Sequence, residues 1–269
     1  MRSTAVILFS LAWTVSAQQR PADGLNFFSL DREIAMGQQT AGVLAPARIE
    51  DPALNAYVAK LGAAVAQSAD QRFPYTFVFY DDRKPLGNPV PAWAVPADAG
   101  FAHSEPIAIA GGPIFVPLSL LANSTSESAF AFQLAHAVAH VALRHATKAF
   151  TREGLVQIGM IPLQSSGKTW AEAAQLGVPL GLLQFARAAE RQADFLAVSL
   201  VDAAGYNPLD AVPYLETLPE SRPQALSAHP LGSSRAAAVR DAAGKLPTRT
   251  YEADTGQFQA MKAQAKNLK

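Results

Sequence analysis

Two histidines, His136 and His140, stand four residues apart in an apolar run of alanine, valine and leucine. Residues at positions i and i+4 of an α-helix lie about 40° apart around the axis and one turn apart along it. Both imidazole rings can therefore reach a single ion, and imidazole nitrogen is a donor that zinc accepts. The spacing predicts half of a metal-binding site on one face of a helix.

A zinc ion in a catalytic site takes three protein ligands and keeps a further position for water or substrate. Glu190 is the candidate for the third ligand, and Asp194 follows it by four residues on the same face of a second predicted helix. Asp194 is placed to orient a ligand histidine through the other nitrogen of its ring. Taken alone, such a carboxylate pair is usually a solvated helix face, and a histidine pair is often part of an ordinary core.

The residue after His136 is alanine, Ala137. In the His-Glu-x-x-His motif of zinc proteases that position holds a glutamate, which takes and delivers the protons of the reacting water. Alanine cannot carry a proton, so Ala137 predicts weak turnover. Glu127 lies nine residues before His136, more than two helical turns away, and is too distant to replace it. Glu105 could approach from outside the helix.

The position of this site depends on the helices and strands predicted around it. Ser29, followed by acidic residues, marks one helix start, and Asp51-Pro52 opens a second helix. Residues 73–80 are aromatic or β-branched and predict a strand. The remaining predicted segments are a short strand pair over 107–110 and 114–116, long helices over 127–150 and 182–203, and proline-rich loops over 84–104 and 219–230.

Composition limits the classes of partner. The 22 lysines and arginines balance 22 aspartates and glutamates, so no net field attracts nucleic acid or an anionic membrane. No cysteine is present, which leaves neither a disulfide framework nor a lipid attachment. No segment after the N-terminus reaches the ~18 uninterrupted apolar residues of a spanning helix. The sequence therefore predicts neither a nucleic-acid partner nor a transmembrane body.

The first seventeen residues follow the pattern of a secretory signal peptide. Arg2 is the positive n-region, residues 5–15 are apolar, and small residues up to Ala17 form a cleavage site. We expect cleavage after Ala17, export to the periplasm or the extracellular space, and no stable membrane insertion afterwards. Residues 18–269 are expected to form one domain, with a core over about 26–240 and a polar C-terminal tail over 241–269. The oligomeric state stays open.

The segments around these residues resemble the gluzincin zinc metallopeptidases that include HtpX-like and CAAX-protease-like enzymes (peptidase family M forty-eight). The most specific match runs from Leu134 to His145 and follows the family pattern Leu-Ala-His-Glu-x-x-His-Val-x-x-Arg-His except at Ala137. An acidic residue of the family's upstream run is also replaced, by Ala129. Further matches cover most of the mature chain, at 28–37, 51–62, 111–116, 190–194, 204–206 and 229–235.

The resemblance implies an α+β, predominantly helical, zincin-like fold with a small sheet beside the active-site helix. It implies one Zn²⁺ per chain, held by His136, His140 and Glu190, with Asp194 behind a ligand. An extended polypeptide substrate or client would lie along a strand at the sheet edge, and the residues implied for that strand are Gly111, Gly112, Ile114 and Val116.

Two further residues carry roles through the resemblance alone. His229 and Arg235 would either stabilise a developing oxyanion or gate the metal. With them, three functions stay open. The first is an exported zinc metalloendopeptidase that acts on envelope or misfolded proteins, with its activity impaired by Ala137. The second is an inactive pseudoprotease that binds zinc and polypeptide in a chaperone-like or regulatory role. The third is a helical protein without metal.

Overall fold

The computed structural model describes residues 24–83, 105–165, 168–218, 231–251 and 254–268. In that part of the chain the helices are α1 (Leu30–Leu44), α2 (Pro52–Ala66), α3 (Leu118–Asn123), α4 (Glu127–Ala142), α5 (His145–Ser165), α6 (Lys168–Ala203), α7 (Val212–Glu216), α8 (Gly232–Ala243) and α9 (Gly256–Asn267). The strands are β1 (Thr76–Tyr80), β2 (Ile107–Ala108) and β3 (Pro113–Pro117). The protein is therefore an α+β, mostly helical fold, as the sequence predicts.

The predicted helix starts are confirmed by their caps. The Ser29 hydroxyl accepts a hydrogen bond from the backbone N–H of Arg32, which begins α1. Asp51 accepts from two backbone N–H groups of the first turn of α2, and Pro52 opens that helix with a φ suited to it. None of the described helices is both long enough and apolar enough to cross a bilayer.

The sheet places β3 in its centre. β1 pairs with β3 in parallel, and β2 pairs with the other side of β3 antiparallel. The strand predicted over 73–80 starts only at Thr76, because Pro74 has no N–H to give to a ladder. Every residue of β3 is buried, and among the described strands β2 lies at the antiparallel edge of the sheet.

The strand expected to hold a substrate contains β3, with Ile114 and Val116 among the residues implied for that role. β3 pairs with β1 along its whole length and with β2 at Ile114 and Phe115. The other two, Gly111 and Gly112, form the turn between β2 and β3 with φ values of 84° and 130°. A side chain on Gly111 would place Cβ only 2.4 Å from the carbonyl oxygen of Glu33, so these glycines serve the turn and its packing on α1.

The single long helix predicted over 127–150 is broken into α4 and α5. The break occurs at Arg144, which has a φ of 58°, in the left-handed region that non-glycine residues rarely occupy. Arg144 Nε donates to Oε2 of Glu33 at 2.7 Å, and the Thr147 hydroxyl donates to the same oxygen at 3.0 Å. A fully buried carboxylate on α1 therefore holds the turn between the two helices, a long-range contact that a local pattern cannot reveal.

The core is built around α4, whose residues are buried on nearly every side. Phe130 of this helix stacks against Tyr57 of α2 and Phe79 of β1, with ring centroids 6.3 and 6.2 Å apart respectively. Stacked pairs of this kind add to the free energy gained by burying apolar area. The helix that carries the two histidines is therefore fixed by both α2 and the sheet.

The polar tail expected over 241–269 contains α9 (Gly256–Asn267). Phe258 in this helix is fully buried, and α9 packs against α3 and α2. Its start is fixed to the start of α4, because Glu127 accepts hydrogen bonds from the Tyr57 hydroxyl and from the backbone N–H of Thr255 at 3.1 and 2.9 Å. The buried Phe258, the carboxylate of Glu127 and a hydrogen bond from the Lys262 ammonium to the carbonyl oxygen of Ser124 dock this helix on the core.

The contact of α1 with the β2–β3 turn can be tested at two glycines of one helix. A Cβ at Gly37 would lie 1.9 Å from the carbonyl oxygen of Ala110, whereas one at Gly42 would meet no atom of the described residues within 4 Å. We expect Gly37→Ala to lower the free energy of unfolding by about 1–3 kcal/mol and Gly42→Ala to raise it by about 0.4–1 kcal/mol. Urea unfolding measures both, and equal effects would contradict the close approach.

Candidate metal centre

The structure brings together the three residues that the sequence singles out as metal ligands. His136 and His140 project from α4 with their Nε2 atoms 3.0 Å apart. Glu190 reaches them from α6, with Oε2 lying 3.4 Å from Nε2 of His136 and Oε1 lying 3.4 Å from Nε2 of His140. One donor atom from each residue lies within 4.8 Å of the others, so three side chains converge on one point.

The spacing of these atoms suits a small divalent ion. A tetrahedral ion with bonds of about 2.0–2.1 Å separates its ligand atoms by about 3.3 Å. The two Nε2 atoms lie 3.0 Å apart and each lies 3.4 Å from a different oxygen of Glu190, while one donor atom taken from each residue lies within 4.8 Å of the others. Two imidazole nitrogens and a carboxylate are also a donor set found in catalytic zinc sites. The cluster can therefore hold a metal ion.

A buried ion pair supports the first of the two histidines. Asp194 Oδ1 lies 2.9 Å from Nδ1 of His136. Arg235, from α8, donates to both oxygens of Asp194 through Nε and Nη2, each at 2.9 Å, and donates to Oε1 of Glu105 through Nη1 at 2.9 Å. A bidentate arginine–carboxylate pair fixes geometry as well as charge. Asp194 is therefore held where its contact with Nδ1 of His136 orients the ring so that Nε2 faces the cluster.

The same contacts locate Arg235, the residue expected to stabilise an oxyanion or to gate the metal. Its side chain is almost completely buried and lies on the Nδ1 side of His136, with Nη2 3.4 Å from that atom. Its donors are engaged by Asp194 and Glu105, and Nη1 also lies 3.9 Å from Oε2 of Glu190, one of the three candidate ligands. His229, the other residue expected to gate the metal, lies outside the described residues.

The model for peptidase family M48 matches residues 52–243, a span that includes all three residues of the cluster. The chain belongs to this family.

Among curated relatives, this M48 chain is 25% identical over 240 residues to the β-barrel assembly-enhancing proteases of Yersinia pestis and of Escherichia coli (strain K12). It is 24% identical over 241 residues to a putative β-barrel assembly-enhancing protease of Vibrio cholerae serotype O1. These matches cover 81% of the chain and 45–46% of each relative. The chain thus spans about half the length of the curated relatives it matches.

In the metal cluster, neighbouring charges favour the ionised form of Asp194 and oppose the effect of burial on the pKa of His136. Burial opposes the charged form of His136, but its bonds to Asp194 and Glu190 outweigh burial and raise its pKa to about 9. Burial holds the pKa of His140 well below its usual value. Burial alone would raise the pKa of Asp194, yet the charge of Arg235 lowers it to about 2. A proton and a metal ion therefore compete for His136.

A third histidine belongs to the cluster although the sequence reasoning gave it no role. His145, at the start of α5, places Nδ1 3.2 Å from Nδ1 of His140 and Nε2 3.1 Å from Oε1 of Gln192 on α6. Burial lowers the pKa of His145 to about 4, so its ring is neutral near pH 7. The available signal was its place at the end of the family pattern, five residues after His140.

Ala137 lies beside the cluster and is part of the apolar core. Glu127 is held at the far end of α4, as its distance along the helix predicts, and does not belong to the metal cluster. Glu105 does come to the site, but its contact is with Arg235, behind His136. Neither of these carboxylates forms part of the group that converges on the metal position.

The support of Asp194 can be tested with two arginines of α8. Arg235→Met leaves a buried carboxylate without its main counter-charge, and we expect the free energy of unfolding at neutral pH to fall by about 3–5 kcal/mol. Arg240 pairs with Glu216 at the surface, so Arg240→Met should cost no more than about 1 kcal/mol. Urea unfolding in chelator measures both variants.

The pH dependence of this difference has a defined sign. The pKa of Asp194 falls from 3.8 to about 2 on folding, so its contribution is complete above about pH 4 and is lost as the pH falls towards 2. The gap between the wild type and Arg235→Met should therefore narrow in that acid range. A gap that stays constant to pH 2, or an equal loss in both variants, would contradict the buried pair.

Proposed function

We propose that this chain is an exported, zinc-binding member of family M48 that acts on extended polypeptides of envelope or misfolded proteins, with cleavage impaired by Ala137. The observation that carries this proposal is the convergence of His136, His140 and Glu190 on one buried point. The secretory pattern of the first seventeen residues supports export. The names of the relatives, proteases that enhance β-barrel assembly, support an envelope polypeptide as substrate or client.

In this proposal His136, His140 and Glu190 hold one zinc ion per chain. A bound zinc ion supplies a Lewis acid that polarises the scissile carbonyl and lowers the pKa of water. Asp194 and Arg235 keep His136 oriented, which limits the freedom of the ligand set before an ion binds. The work of the chain itself is therefore to present three ligands already in place and to bring a polypeptide beside them.

The edge strand β2 is the best-supported place for that polypeptide. Its one described partner is β3, on one side, so the main chain of Ile107 and Ala108 has a side on which an extended segment can add by hydrogen bonds. Two residues before this strand, Glu105 contacts Arg235 of the ligand support. The residue that leads into this strand therefore contacts the support of His136, which favours a peptide laid along β2 over one bound at a distant surface.

Ala137 affects the rate of peptide cleavage and leaves metal and polypeptide binding unchanged. General acid and base assistance is typically worth 10²–10⁴ in rate, about 3–5 kcal/mol of barrier, and alanine can supply none of it. The second candidate function, a pseudoprotease that binds zinc and polypeptide with a chaperone-like or regulatory role, is favoured by the same residue. The two candidates share fold, metal and polypeptide binding, and differ only in the rate of cleavage.

Zinc binding can be tested on the purified exported form. We expect about one zinc per chain by metal analysis, because the donor set and its spacing suit zinc. His136→Ala and Glu190→Gln each remove one of three ligands and should lose most of the metal, while Glu216→Gln, an exposed carboxylate on α7, should retain it. Absence of zinc from the wild type, or an unchanged zinc content in His136→Ala, would overturn the proposed site.

Turnover can be tested at position 137. Ala137→Glu restores a proton-carrying group, and we expect hydrolysis of an unfolded protein such as casein to rise by about 10²–10⁴ and to stop with chelator. Ala137→Gln has the same size without a titratable group, so it should stay at the wild-type level while retaining zinc. Fast, chelator-sensitive hydrolysis by the wild type would contradict the impaired site, and an equal gain in both variants would show that proton transfer is not the cause.

A further inference from the structure

We propose that His145 is a positioning residue for the metal centre: its Nδ1 accepts the Nδ1–H of His140, and Gln192 holds its other nitrogen, so that the Nε2 lone pair of His140 is directed at the metal. This inference rests on the proposed zinc site but is independent of cleavage. It assigns to His140 a partner comparable to the one that Asp194 provides for His136.

The geometry links three elements in one chain of contacts. His140 Nδ1 and His145 Nδ1 are 3.2 Å apart, and His145 Nε2 is 3.1 Å from the amide oxygen of Gln192. The two imidazole rings meet edge to face at 78°, with centroids 4.9 Å apart. His145 is buried, so bulk water does not compete strongly for either nitrogen. The chain runs from α4 through α5 to α6, the helix that also carries Glu190.

Only one assignment of hydrogens satisfies every contact when His140 binds through Nε2. An amide oxygen accepts and cannot donate, so Nε2 of His145 carries the hydrogen that it gives to Gln192. The neutral ring of His145 then has a lone pair on Nδ1, which accepts the hydrogen on Nδ1 of His140. Nε2 of His140 is left with the lone pair that a metal needs. The contact with Gln192 thereby selects, through His145, the tautomer of His140 that can bind a metal.

The break between α4 and α5 makes this contact possible. In one continuous helix, residues five apart would lie about 140° apart around the axis, and His145 would face away from His140. The left-handed conformation of Arg144 starts α5 in a new direction and turns His145 back towards the cluster. The buried contact of Arg144 with Glu33 stabilises this unfavourable conformation. The strained backbone therefore places His145 next to His140.

The effect expected is on metal affinity. Partners that orient a ligand histidine typically change metal affinity by about 10–100-fold when they are removed. His145 is a neutral acceptor with a ring, so two amide replacements separate its two contacts. In His145→Asn the side-chain oxygen takes the place of Nδ1, next to His140. In His145→Gln the amide lies one atom further out, near Gln192, and the acceptor for His140 is lost.

The test measures zinc affinity by competition with a chelator, together with the visible absorption of the Co²⁺-substituted protein. We expect His145→Leu and His145→Gln to weaken zinc binding by about 10–100-fold and to shift the Co²⁺ bands, while His145→Asn retains most of the affinity and the wild-type spectrum. Gln192→Met should act in the same direction as His145→Leu, and Gln192→Glu, which keeps an acceptor, should not.

The outcomes separate this inference from the proposed function. If the wild type binds zinc and the Asn variant loses as much affinity as the Leu variant, His145 has a packing role only and the inference is overturned. Unchanged affinity and Co²⁺ spectra in all variants overturn it as well. If the wild type itself binds no zinc, the proposed function fails first. Urea unfolding of the metal-free proteins serves as the control, since a packing role alone would not distinguish Asn from Gln.

Discussion

The buried pair between Asp194 and Arg235 is the interaction on which the site depends. It joins α6 to α8 behind α4, with N–O distances of 2.9 Å to both carboxylate oxygens. An isolated charge at this depth would cost several kcal/mol, so each partner requires the other, and Glu105 adds a second carboxylate to the same guanidinium. The direction in which His136 faces is therefore a consequence of how three helices and the start of the edge strand pack.

A second buried carboxylate controls the other end of α4. Glu33, on α1, binds Arg144 and Thr147 and stabilises the one described non-glycine residue with a positive φ. The two arrangements are alike in their physics: a charge that cannot be solvated is neutralised by an arginine, and the arginine in turn fixes a backbone or side-chain geometry next to a histidine. Several helices thus each contribute one member of such a pair to the surroundings of the site.

The elements that could be predicted from the sequence are those with local causes. Ser29 and Asp51 mark helix starts because their own side chains cap the first turns. Helical spacing and the family pattern indicate the candidate site residues His136, His140, Glu190 and Asp194. What could not be predicted depends on distant partners. The central place of β3 is set by pairing between separate segments, the conformation of Arg144 by Glu33, and the docking of α9 by Phe258. The contact of His145 with Gln192 requires the mutual packing of α5 and α6.

Ala137 has a different status from every other residue of the site. The hydrogen bonds that orient His136 and His140 run through Asp194, Arg235, His145 and Gln192, and residue 137 takes part in none of them. Alanine is also the best helix former and fits the apolar core at this point. These hydrogen bonds therefore do not depend on which side chain stands at position 137. The proposed metal binding therefore depends on contacts that do not include residue 137, whereas the proposed impairment of proton transfer depends on that residue.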